Sequence, residues 1–149
     1  MTRHIIALIG LLALGACASS PPDVEYHRGE LAAANDFPFS EAVRVGNTLY
    51  LSGQIGTIPG TTTLPEGGIG PETAQTLENI KSILERYGSS LDHVVKCTVF
   101  LVDIHEWPAM NEVYTTYFPN TKPARSAMAG SGLALGSRVE IECIAIIPE

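Results

Sequence analysis

The sequence predicts an α+β domain: one β-sheet with two helices packed on a single face. Three observations carry that expectation. Short β-prone runs alternate with two segments of helical periodicity, each helical segment has one apolar stripe, and Gly- or Pro-rich turns separate the units.

The elements follow in the order ββαβαββ. Val43–Val45 and Leu49–Ile55 flank Gly46-Asn47 and read as a hairpin. Gly56–Gly70, rich in Gly, Pro and Thr, is a loop. Pro71 opens a helix that Gly88 closes, with Ala74, Leu77, Ile80, Ile83, Leu84 and Tyr87 along one stripe. From His93 the run VVKCTVFLV has the length of a strand and the near-continuous apolar character of one buried on both faces. Pro108 marks the first turn of a second helix, whose apolar face carries Trp107, Met110, Val113, Tyr114 and Tyr117; Pro119 and Pro123 end it. Ala124–Ala129 and Arg138–Ile147 are the last two strands, separated by the glycine-rich turn Gly130–Gly136. A sheet covered on one side leaves its other face to be buried, and in so small a domain oligomerisation is the expected cover.

The first residues have a different logic. Arg3 and His4 precede an uncharged apolar run, Ile5–Leu14, and small Gly15 and Ala16 precede Cys17. That is the layout of a signal peptide, and the run is shorter than the roughly 20 residues a membrane-spanning helix needs. The sequence therefore divides into a signal peptide, 1–16, a tether, 17–36, and one folded domain, 37–149. No internal repeat is evident. Leu14-Gly15-Ala16-Cys17 resembles the lipobox of bacterial lipoproteins, which implies acylation of Cys17, export, and attachment to a bacterial membrane on the periplasmic side.

The chain carries 9 Lys and Arg against 16 Asp and Glu; without Arg3, 8 basic residues remain. The basic residues are scattered, so nucleic acid is excluded as an expected partner. After Cys17, the cysteines left are Cys97 and Cys143, each within an apolar strand. Export permits a disulfide, but spacing does not establish one, and buried free thiols are the expectation. No CxxC or histidine cluster indicates a metal.

Two segments are more polar than their strands require: Lys122-Pro123-Ala124-Arg125-Ser126 and Arg138-Val139-Glu140-Ile141-Glu142-Cys143. Alternation puts Glu140 and Glu142 on one face of the last strand and Val139, Ile141 and Cys143 on the other. A carboxylate there is either paired or functional, because an unpaired buried charge is costly. Arg125 is the candidate partner, and an Arg125–Glu140 ion pair tying adjacent strands or subunits is the structural alternative to a site.

With Pro38-Phe39-Ser40-Glu41-Ala42, Leu51-Ser52-Gly53-Gln54-Ile55-Gly56, Glu78-Asn79-Ile80, Val94-Val95-Lys96, Asn111-Glu112-Val113-Tyr114, Phe118-Pro119 and Ile141-Glu142, these segments form an ordered set. In that order and spacing the chain resembles the RidA (YjgF) family of enamine/imine deaminases from Phe37 to its end. The resemblance implies a chorismate-mutase-like fold, a mixed sheet with two helices on one face, and a homotrimer with a barrel-like core and sites between subunits. It also implies hydrolysis of small 2-imino acids to 2-oxo acids and ammonia, without metal or organic cofactor. Arg125 would grip the substrate carboxylate, Glu140 would hold the water, and Ser52, Gly53 and Phe39 would complete the pocket.

Phe37-Pro38-Phe39 stands where active members usually carry Gly-Pro-Tyr, so a phenol is lost, and preference shifts to less polar substrates or activity falls. His105 replaces a common asparagine and reads as a loop residue. An exported location is at odds with the cytoplasmic origin of family substrates. The competing expectation is therefore a tethered, non-catalytic protein that binds small carboxylates or acts as a scaffold. Nuclease or translation-inhibitor activity, also attached to the family, is unsupported by the charge balance.

Overall fold

The computed structural model describes residues 21–149; the predicted signal peptide and Cys17 lie outside the described residues. One sheet runs in the order β1 (Val24–His27), β2 (Ala42–Val45), β3 (Thr48–Leu51), β7 (Val139–Ile146), β5 (Val94–Leu101) and β6 (Ala124–Ala129), and the short β4 (Gln54–Ile55) also pairs with β7. The sheet is mixed: β5 and β6 are parallel and the other pairs antiparallel. A parallel pair needs a crossover, which the helix α3 (Trp107–Tyr117) supplies.

The long helix α2 (Ile69–Arg86) starts two residues before the predicted Pro71, which still falls in the first turn, where no intrahelical donor is lost. Its stripe of Leu77, Ile80, Ile83 and Leu84 packs into one core with Val99, Leu101 and Met110 and with Val139, Ile141 and Ala145 of β7. Gly88 ends the helix at φ 81°, a left-handed conformation that costs glycine little. The predicted α+β architecture, a mixed sheet with helices on one face, is the one observed.

Three expectations change. The segment 17–36 is not all tether: Val24–His27 pairs with β2 as an edge strand and Glu30–Ala34 forms a short helix, α1. Four residues among charges carry too little periodicity to announce a strand whose partner lies 18 residues on. Second, β5 is covered on one face only. Cys97, Val99 and Leu101 are buried, whereas Lys96, Thr98 and Phe100 are only partly covered on the opposite, open face. The same face carries Tyr50, Ile144 and Met128 by register, and Tyr50 and Met128 are 44% and 56% exposed.

Third, Cys97 and Cys143 are joined as a disulfide. They stand directly opposite in the antiparallel β5–β7 register, with Cα atoms 4.1 Å apart. That pairing is non-local, which is why spacing could not reveal it. Reduction, or the double change Cys97→Ala and Cys143→Ala, is expected to lower stability by about 2–4 kcal/mol. The check is thermal unfolding with and without reductant; an unchanged Tm would show that the bridge contributes nothing.

Candidate active site

Glu140 sits near the start of β7 on the open face, between Ile55 of β4 and Phe100 of β5. Burial pushes its carboxyl up from the ordinary value, and the neighbouring Glu142 adds to the shift. It makes no salt bridge among the described residues.

The chain between β3 and β4 shapes the space beside it. Tyr50 pairs with Ile144 and Gln54 with Ile141, so the stretch Leu51–Gly53 holds one residue more than its partner, a bulge. Gly53 at that bulge lies against the Glu140 carboxylate: a Cβ there would collide with Oε1 and stand 2.8 Å from Cδ. Ser52 is fixed by two bonds, its Oγ donating to Ser40 O at 2.7 Å and its N–H to Glu41 O at 3.0 Å. The Glu41 carboxylate in turn accepts from Arg86 Nη1 at 2.8 Å and Tyr87 OH at 2.9 Å, anchoring the Phe39–Ala42 approach to the end of α2. On the other side, Asn79 Nδ2 donates to Ile55 O and Thr57 O and holds the strand after the bulge. Ser52 and Phe39 line an open basin of about 680 Å³.

Arg125 lies elsewhere. It faces Cys97 across the β5–β6 pair, and Cys97 faces Cys143. Glu140 is three residues from Cys143, hence on the opposite face of the sheet. Two strand spacings and three residues put the Arg125 and Glu140 Cα atoms roughly 14 Å apart. β5 separates their strands, so the Arg125–Glu140 pair within one chain, the structural alternative, is not formed. The guanidinium instead stacks 4.6 Å over the Tyr114 ring and makes no salt bridge among the described residues.

Arg125 opens onto a cleft of about 340 Å³ that includes Asn111, Tyr114 and Lys122. Asn111 Oδ1 and Tyr114 OH are buried without a hydrogen-bond partner among the described residues. Burial pushes the Tyr114 phenol up to about 12, against the opposing pull of Arg125, so it stays neutral. These two residues were not singled out as site residues from sequence. Tyr114 read as part of the apolar stripe of α3, and only the placement of β6 beside that helix shows it beneath Arg125.

Two further polar residues singled out in the sequence, Arg138 and His105, are held by local contacts. Arg138 forks onto Glu106 at 2.7–3.2 Å, and its N–H donates to the buried Glu72 at 2.8 Å. His105 is exposed and held by Asp103 in the turn before α3. Among the described residues no three His, Cys, Asp or Glu side chains cluster to hold a metal.

Within one chain, then, two uncompensated half-sites stand on opposite faces: a guanidinium with orphaned polar groups at the edge of the sheet, and a carboxylate with a backbone corner on the open face. The family model described as Endoribonuclease L-PSP matches residues 29–147. A mouse 2-iminobutanoate/2-iminopropanoate deaminase is 45% identical over 109 residues, 73% of this chain and 81% of that protein. The crystal structure of RidA from the Antarctic bacterium Psychrobacter sp. is 44% identical, covering 74% of this chain and 89% of that one with a TM-score of 0.70. E. coli TdcF with bound serine is 33% identical, covering 73% and 87%, with a TM-score of 0.69. With a match from Gly29 to Ile147 and relatives aligned over most of their own length, the chain belongs to the RidA/YjgF family, the family described as Endoribonuclease L-PSP.

Proposed function

We propose that this domain hydrolyses small 2-imino acids to 2-oxo acids and ammonia in clefts between copies of the chain. The single observation that carries the reading is the pair of half-sites, each holding the charge the other lacks. Packing the open faces of three copies together would cover Tyr50 and Met128. It would also bring the edge strand β6 of one copy beside the Gly53–Glu140 corner of the next.

Each group then has a task. Arg125 presents parallel donors to the substrate carboxylate, with Asn111 and Tyr114 as neutral hydrogen-bonding groups beside it. Glu140 of the partner subunit accepts a proton from water as the oxygen bonds to the C=N carbon. The nitrogen gains that proton to give a carbinolamine; its hydroxyl then loses a proton to the carboxylate as the nitrogen takes a second one, and the C–N bond breaks to release ammonia and leave the 2-oxo acid. The names of relatives are divided, since the family description says endoribonuclease whereas the mouse protein is named as a deaminase. The net charge of −7 and the scattered basic residues favour imine over RNA as substrate.

The test generates 2-iminopropionate or 2-iminobutyrate in situ with an amino-acid oxidase and follows its loss. Loss no faster than in the absence of protein would overturn the reading. Thermal stabilisation by small carboxylates without turnover would favour the binding role instead.

Gly53→Ala probes the corner. Its Cβ meets a movable carboxylate rather than backbone, so the fold can absorb the change only by displacing Glu140. Activity is expected to fall about 10²-fold with Tm nearly constant; activity at the parent level would remove Glu140 from the site.

The place of action is also proposed: outside the cytoplasm, held by acylated Cys17. The Leu14–Cys17 motif and the buried Cys97–Cys143 bridge both support it, since such bridges persist in oxidising compartments. Incorporation of a labelled fatty acid that is lost in Cys17→Ser would support it, and absence of label in the parent would refute it.

A further inference from the structure

The basin beside Ser52 has an aromatic wall that imine hydrolysis as such does not use. Phe37 and Phe39 stack with ring centroids 5.4 Å apart and planes inclined by 25°. They remain 37% and 51% exposed, and Tyr26 and Val43 continue the apolar surface. The basin's charged groups neutralise one another, Arg28 Nη2 standing 3.3 Å from Asp36 Oδ1. The same nitrogen donates to Phe37 O at 2.7 Å, so the segment between β1 and α1 clamps the wall in place. The wall is connected to the catalytic corner through Ser40, whose carbonyl accepts from Ser52 Oγ.

We propose that Phe37 and Phe39 form a side-chain pocket that selects 2-imino acids with bulky apolar side chains, of the leucine or phenylalanine type, over those with a methyl or ethyl group. The inference rests on the deaminase reading and adds the substrate class. A methyl group leaves both rings in water. An isobutyl or benzyl group covers them, and with Arg28 and Asp36 paired the basin offers no charge that would favour a polar side chain. Stacked aromatic faces held by a backbone clamp are already ordered, so little freedom is lost when the substrate docks.

The test compares kcat/KM for imines generated from leucine, phenylalanine and alanine by an amino-acid oxidase. Each methylene in a fitted pocket contributes about tenfold or more, so the leucine-to-alanine ratio is expected to exceed tenfold in the parent and to fall towards unity in Phe37→Ala and Phe39→Ala. A ratio at or below unity in the parent, or one that neither substitution moves, overturns the proposal while leaving the deaminase reading intact. If no imine is turned over, the deaminase reading fails. The pocket is then judged by thermal stabilisation with 4-methyl-2-oxopentanoate, phenylpyruvate and pyruvate. Stronger stabilisation by the two bulky acids, lost in Phe39→Ala, upholds it, and equal stabilisation by all three refutes it.

Discussion

Arg125→Ala is expected to lower kcat/KM for 2-imino acid hydrolysis about 10- to 100-fold, the worth of a charge-assisted, bidentate contact of roughly 1.5–3 kcal/mol. Stability should hardly change. Arg125 makes no salt bridge among the described residues, and its main neighbour is the face of Tyr114 at 4.6 Å, a contact worth about 0.5–1 kcal/mol at a partly exposed site. Arg125→Lys separates charge from shape: the ammonium keeps the charge but loses the planar fork and the stacking on Tyr114. It should recover only part of the activity, chiefly through KM. If Arg125→Ala instead unfolds the domain, or leaves the kinetics untouched, the guanidinium is a structural group and the carboxylate clamp is elsewhere.

How much of this was readable in the sequence depends on whether the deciding contact is local. The α2 stripe, the strand Ala124–Ala129 and the alternation of Glu140 with Ile141 follow from periodicity over neighbouring residues, and all three are in the structure. The edge strand Val24–His27 exists only because β2 pairs with it. The Cys97–Cys143 bridge exists only because β5 and β7 meet in that register. The site shows the same division. Arg125, Glu140, Ser52 and Gly53 were identifiable as residue types at motif positions, and the structure places Ser52, Gly53 and Glu140 at one corner. That Arg125 belongs to the opposite face follows from two successive strand pairings, through Cys97 and then Cys143, which no spacing along the chain encodes.

Glu140→Gln is expected to lower kcat about 10²- to 10⁴-fold, the range for loss of a general acid–base group, while keeping the shape of the corner at Gly53. The pH dependence supplies a sharper test than the loss itself. Burial and then Glu142 raise the Glu140 pKa, so protonation removes the base at a higher pH than for an ordinary carboxylate. The acid limb of kcat/KM should therefore fall above the usual carboxylate range. Glu142→Gln removes one cause of the shift and should move that limb to lower pH without lowering the plateau. A limb that Glu142→Gln leaves in place would mean that another group titrates. Stability runs in the opposite sense. For an acid whose pKa is higher folded than unfolded, the protonated form is favoured on folding, so ionisation at neutral pH weakens the fold. Glu140→Gln should thus match or exceed the parent in Tm at pH 7, and the difference should vanish below the unfolded carboxylate pKa. A substitution that disables the enzyme while stabilising the domain cannot act through loss of folding, which makes that combination the signature of a carboxylate kept for its chemistry.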